Sequence, residues 1–125
     1  MVDSSVFIDF LRGESIPKLA ELISSNEVLL SSFVRLELLQ GVRRSEVKLL
    51  GSLLEGLLAV PWDEDLPSRA ELLLQRVKGS GLNVGIVDLL IASQAQGLDC
   101  PVFSFDHVFR KLGEMGLIEV IEGKR

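Results

Sequence analysis

Short apolar runs alternate with longer amphipathic segments along almost the whole chain, and this alternation restricts the possible folds more than any other feature. The runs at 1–2, 27–30, 58–61, 101–104 and 118–121 have strand length and are largely apolar. The segments at 4–11, 17–25, 32–39, 46–57, 65–78, 86–96 and 106–112 carry apolar residues at helical spacing. Their ends carry the expected punctuation: Pro17 in a first turn, Ser32 as a cap, Gly41 and Gly97 as stops. Strands separated by helices indicate an α/β domain with a mostly parallel sheet. Such strands are buried on both faces, so unbroken apolar runs replace strict alternation. The 125 residues make a single domain, 1–125, with no internal repeat and no linker-like stretch. Ligands of open α/β sheets bind beyond the carboxyl ends of the strands, so chemistry is sought in the residues that follow each strand.

Charge narrows the partners. The chain has 13 Lys+Arg against 18 Asp+Glu, a net charge of −5. An acidic domain of this kind is not a nucleic-acid binder of the broad basic-patch type, so any contact with phosphate is local or made through a cation. Cys100 and His107 are the single cysteine and histidine, which excludes an internal disulfide and a zinc site of the usual nitrogen and sulfur ligands. No apolar run reaches the roughly 18 residues of a membrane span, and Met1-Val2-Asp3 does not open a signal peptide, so a cytoplasmic protein is expected. The mean hydropathy of +0.36 is high for so small a chain and suggests apolar surface covered by a partner.

Four acidic residues stand out against this background. Asp3 follows the first strand and Asp106 follows the run 101–104, which places two carboxylates at one edge of a parallel sheet. Each also has a plain structural explanation as a helix N-cap. Asp88 is the one charged residue between Lys78 and Asp99, and it lies on the same side of its helix as Ala92 and Ala95. A carboxylate there needs a paired cation, a cap role or a metal, because an unpaired buried charge is costly. Glu37 falls between Phe33 and Val34 on its helical wheel, while Arg35 points elsewhere. Clustered carboxylates repel one another unless a cation sits among them, and Mg²⁺ prefers such oxygen ligands.

Four segments now resemble a known family: Asp3-Ser-Ser-Val-Phe-Ile-Asp9-Phe-Leu-Arg12-Gly13, Leu36-Glu37-Leu-Leu-Gln-Gly41, Val87-Asp88-Leu-Leu-Ile-Ala92 and Ser104-Phe-Asp106-His-Val-Phe109. In this order they are similar to the PIN-domain ribonucleases, and more narrowly to VapC-type toxins of toxin–antitoxin pairs. The resemblance implies a three-layer α/β/α sandwich with a mostly parallel sheet of four or five strands. It implies Mg²⁺- or Mn²⁺-dependent cleavage of RNA, with Asp3, Glu37, Asp88 and Asp106 as the metal-site acids. Ser4 and Ser104 match the family's small hydroxyl residues, and Asp9 and Arg12 its recurring first-helix pair. Metal held mainly by Asp3, Asp88 and Asp106 would position a water for in-line attack, with Glu37 binding a second ion or orienting that water. A cognate antitoxin that blocks the acidic cleft is implied as a partner, and a homodimer is implied too. The family often has another acid two residues after the last; here that position is Val108.

Arg43, Arg44 and Lys48 after the Glu37 helix, and Arg110 with Lys111 after Asp106, could guide RNA, although ordinary solvated helix faces account for them equally simply. The acidic run 63–65 reads as a dipole-complementing cap and His107 as helix-terminal structure. Two other functions fit parts of the pattern. A phospho-acceptor receiver domain also gathers acids at strand ends, but it needs a lysine beside them, and Lys111 lies inside a helix. A catalytically inactive PIN-like binding module would keep the fold without the activity.

Overall fold

The computed structural model describes residues 1–122. Seven α-helices alternate with four two-residue strands: α1 Ser4–Leu11, α2 Pro17–Ser24, β1 Leu29–Leu30, α3 Ser32–Gly41, α4 Val47–Glu55, β2 Leu58–Ala59, α5 Leu66–Val77, α6 Ile86–Leu98, β3 Val102–Phe103, α7 His107–Glu114 and β4 Val120–Ile121. A 3₁₀ turn at Arg44–Glu46 leads into α4. The strands pair in parallel throughout, β1 with β2 and β3 with β4, as unbroken apolar runs foretell. Val2 adds an isolated parallel bridge to Phe103.

Two differences from the sequence expectation concern this sheet. The described strands are shorter than the apolar runs, and they form two separate ladders in place of one continuous sheet of four or five strands. An apolar run reports that both faces are covered, and burial extends beyond the residues that exchange ladder hydrogen bonds. Val28 illustrates this, buried at the entry to β1 and accepting a 3.3 Å bond from Leu58 N, yet outside the strand.

The helices follow their apolar faces. Helix α5 buries Ala70, Leu73 and Val77, a spacing of three and four residues, and packs on α6. Ile91, Ala92 and Ala95 of α6 lie in the core beside Phe7, Phe103 and Phe109. Ser31, not Ser32, caps α3, its hydroxyl accepting from Phe33 N at 3.2 Å. Helix α6 does not stop at Gly97 but continues to Leu98, and Asp99 closes it with φ of 50°. Gly97 has a different task. Arg69 bonds Asp63 and donates to Ser93 O at 3.2 Å, and its guanidinium lies so close over Gly97 that a side chain there would displace it. The expected cap at 63–65 is also redistributed: Asp65 makes no side-chain cap bond, while Asp63 accepts from Asp65 N at 3.0 Å.

Asp99 tolerates the left-handed region less well than glycine, which has no Cβ to crowd the carbonyl. Asp99→Gly is therefore expected to raise unfolding stability by about 0.5 kcal/mol, read from urea denaturation.

Candidate metal centre

The bridge between Val2 and Phe103 places the next residue of each strand side by side. Phe103 N donates to Met1 O at 2.8 Å and Asp3 N donates to Phe103 O at 2.9 Å. Asp3 and Ser104 thus leave the same sheet edge together, and the Ser104 hydroxyl donates to Asp3 Oδ2 at 2.8 Å. Asp3 is buried, with 3% of its surface exposed, and it caps α1. Asp106 caps α7, its Oδ1 accepting from Val108 N at 3.0 Å. The structural explanation raised for both residues is therefore correct, but it engages one side of each carboxylate. The hydrogen bonds to Asp3 fall on Oδ2, and the bond to Asp106 falls on Oδ1.

Ser5 is the residue that sequence reasoning missed. Its hydroxyl donates to Asp3 Oδ2 at 3.0 Å, lies 3.3 Å from the Ser104 hydroxyl and accepts from Phe105 N at 3.0 Å. Ser104 also accepts from Asp106 N at 2.9 Å. The two serines thereby fix Asp3 against the loop that carries Asp106. Ser4, the residue singled out from sequence, meets a different acid, its hydroxyl bonding Glu37. Two adjacent serines look alike in a string; the turn entering α1 decides which one faces the strand end.

Helices α3 and α6 supply the other two acids. Glu37 is half-buried, and its Oε1 is enclosed without a hydrogen-bond partner. Burial and the charges of Asp3 and Asp106 raise its carboxyl above the ordinary range, while the Ser4 hydroxyl opposes the rise. Asp88 lies half-buried in the first turn of α6. Burial first, then Asp3, Asp106 and Glu37, push its carboxyl from 3.8 up to about 6. Asp3 and Asp106 thus act on Glu37, and all three act on Asp88, so the four acids lie in one region. They do not form a closed cage: among the described residues no three acidic, histidine or cysteine side chains are grouped tightly enough to hold a metal ion. An all-carboxylate donor set, an orphaned buried oxygen and a carboxyl raised by its neighbours fit a hard divalent cation.

Arg12 Nε stands 4.0 Å from Glu46 Oε2, and Glu46 accepts from Arg43 N at 2.9 Å, so Arg12 ties α1 to the 3₁₀ turn. Asp9 is half-buried in α1. Arg43, Arg44, Lys48 and Arg110 are exposed, while Lys111 pairs with Glu114 at 3.3 Å.

The sequence matches the PIN-domain family over residues 1–115. The chain belongs to that family. It is 34% identical to Ribonuclease VapC19 of Mycobacterium tuberculosis over 107 residues, 83% of this chain and 86% of that protein. Among solved structures, VapBC2 from Rickettsia felis bound to a promoter DNA fragment superposes with a TM-score of 0.84 at 19% identity, covering 99% of this chain and 98% of that one. The DNA-bound VapBC of Salmonella typhimurium gives 0.80 at 17% identity, covering 97% and 95%. These likenesses place the two ladders and their helices in the PIN fold, an α/β sandwich. No described helix is long and apolar enough to cross a membrane.

The raised Asp88 carboxyl carries a stability consequence. Between 3.8 and about 6 the folded chain keeps a proton that the unfolded chain has released, so stability falls as pH rises through that window. Asp88→Asn removes the penalty. In chelator at pH 7.5 the variant is expected to be more stable than the wild type by on the order of 1 kcal/mol, the value left after solvent screening of a half-exposed group. The advantage should vanish below about pH 4, where the wild-type carboxyl is also neutral; thermal melts across pH measure it.

Proposed function

We propose that this PIN domain is a metal-dependent endoribonuclease, hydrolysing RNA phosphodiester bonds with Mg²⁺ or Mn²⁺, and the toxin of a type II toxin–antitoxin pair in the cytoplasm. The observation that carries the reading is the Asp88 carboxyl, raised to about 6 by burial and by Asp3, Asp106 and Glu37 together. Four acids on four separate segments, with the Glu37 and Asp88 carboxyls raised by their neighbours, make a poor structural feature and a good cation site. The name of the 34% identical relative supports RNA as the substrate.

Asp3, Asp88 and Asp106 would hold the ion, and Glu37 would orient the attacking water or take a second ion. Such an ion supplies charge neutralisation at phosphate oxygens and a more acidic bound water. Ser5 and Ser104 keep Asp3 turned so that Oδ1 stays available. The exposed Leu36 and Ile86, each with 64% of its surface exposed, together with Val87 at 39%, flank the acids in sequence and offer apolar surface to an antitoxin segment.

Incubation of the purified chain with structured RNAs tests the activity. Cleavage should require Mn²⁺ or Mg²⁺, stop in chelator and fall roughly 100-fold or more in Asp88→Asn. A wild-type chain that binds Mn²⁺ poorly and cleaves nothing would instead support an inactive binding module.

Arg43 and Arg44 are exposed and outside any ion pair among the described residues, so they are available to phosphate. Replacing both with Ala should weaken RNA binding and reduce the slope of log affinity against log salt by about 1.4, the value for two single-strand phosphate contacts. An unchanged slope measured by fluorescence titration removes them from the RNA path.

A further inference from the structure

Helices α3 and α6, which carry Glu37 and Asp88, are joined by a hydrogen bond far from both acids. The Ser31 hydroxyl donates to Gln94 Oε1 at 2.5 Å. Both residues are buried, with 0% and 6% of their surface exposed. The same hydroxyl oxygen accepts from Phe33 N and so caps α3. One atom thereby starts one helix and grips the side of the other. Among the described residues no other hydrogen bond joins these two helices. The neighbouring Ser93 bonds Leu89 O within its own helix at 2.7 Å and makes no such link.

The spacing is symmetrical. Glu37 lies six residues after Ser31 (37 − 31), and Asp88 lies six residues before Gln94 (94 − 88). At a rise of 1.5 Å per residue, each acid is about 9 Å along its helix from the bond, and the two spans run in opposite chain directions. We propose that the Ser31–Gln94 bond is a positioning device. It fixes the register of α3 against α6 and so the separation of Glu37 from Asp88 across the acidic site. The inference rests on the metal-site reading above. The apolar contacts of Ile91, Ala92 and Ala95 are non-directional, whereas the hydrogen bond prefers one distance and angle. A buried hydrogen bond is lost once donor and acceptor part beyond about 3.5 Å, and its loss leaves two polar groups unsatisfied. An apolar residue at position 94 would serve packing alone; a glutamine there adds directional specificity. Metal ligands tolerate errors of only about 0.2 Å, so they feel such a register shift before the fold does.

Calorimetric titration of Mn²⁺ into the full-length chain, beside thermal melts, tests this. Gln94→Met keeps the volume and removes the acceptor; Ser31→Ala removes the donor. Each is expected to weaken Mn²⁺ affinity roughly tenfold, the cost of losing an outer support of a metal site. The double variant should bind no more weakly than the poorer single one, because the two groups act as a unit. Val77→Ala, a core truncation in α5 that lowers thermal stability, should leave the affinity unchanged. Unchanged Mn²⁺ affinity in Gln94→Met and Ser31→Ala, with lowered melting temperatures, overturns the inference alone and makes the bond purely structural. Should Ser31→Ala fail to fold, Gln94→Met decides the question by itself. A wild-type chain that binds no Mn²⁺ overturns this inference together with the metal-site reading.

Discussion

The parallel pairing of Val2 with Phe103 governs where the chemistry of this chain sits. It is a single bridge, reinforced by bonds from Phe103 N to Met1 O and from Asp3 N to Phe103 O. Because the two segments run in the same direction, their carboxyl ends emerge together. Asp3 and the Ser104–Asp106 turn therefore share an edge though they lie about a hundred residues apart. An antiparallel pairing, or a slip by one residue, would turn Asp3 away from Ser104 and leave its carboxylate buried without donors. Ser5 and Ser104 then convert proximity into fixed geometry, each donating to the same oxygen of Asp3.

The second constraint is electrostatic. Four carboxylates approach one another on a chain that already carries a net charge of −5. The fold accepts this repulsion for the sake of the site, and the cost shows in the raised Asp88 and Glu37 carboxyls. Elsewhere acids are treated in the ordinary way. Asp63 is bonded by Arg69, which holds its carboxyl below the usual range, and Glu46 meets Arg12. The contrast between paired acids outside the site and unpaired acids within it distinguishes a functional cluster from a solvated face.

Much of this was legible in the residue string. The alternation of short and long apolar runs gave the α/β class and parallel pairing, because burial on both faces leaves a compositional trace. Asp88 and Glu37 were visible as charges in apolar company. Less legible were features that depend on hydrogen-bond geometry. Strand length was overestimated, since an apolar run measures burial and not ladder contacts. Ser5 is illegible beside Ser4, because adjacent serines carry no mark of which way each faces. Gly97 reads as a helix stop in the string, yet that glycine makes room for Arg69 and Asp99 forms the left-handed cap. Arg12 belongs to the family's recurring pair by resemblance, and its contact with Glu46, more than thirty residues along the chain, leaves no trace in the string.

The account rests on the acids at 3, 37, 88 and 106 sharing one divalent ion site. The most direct measurement is anomalous diffraction from crystals of this chain soaked in Mn²⁺. The account predicts a peak bounded by the carboxylates of Asp3, Asp88 and Asp106, with oxygen ligands at about 2.1–2.2 Å and Glu37 beside it. A fully soaked crystal with no peak at these residues, or with Mn²⁺ bound only elsewhere on the surface, would contradict it.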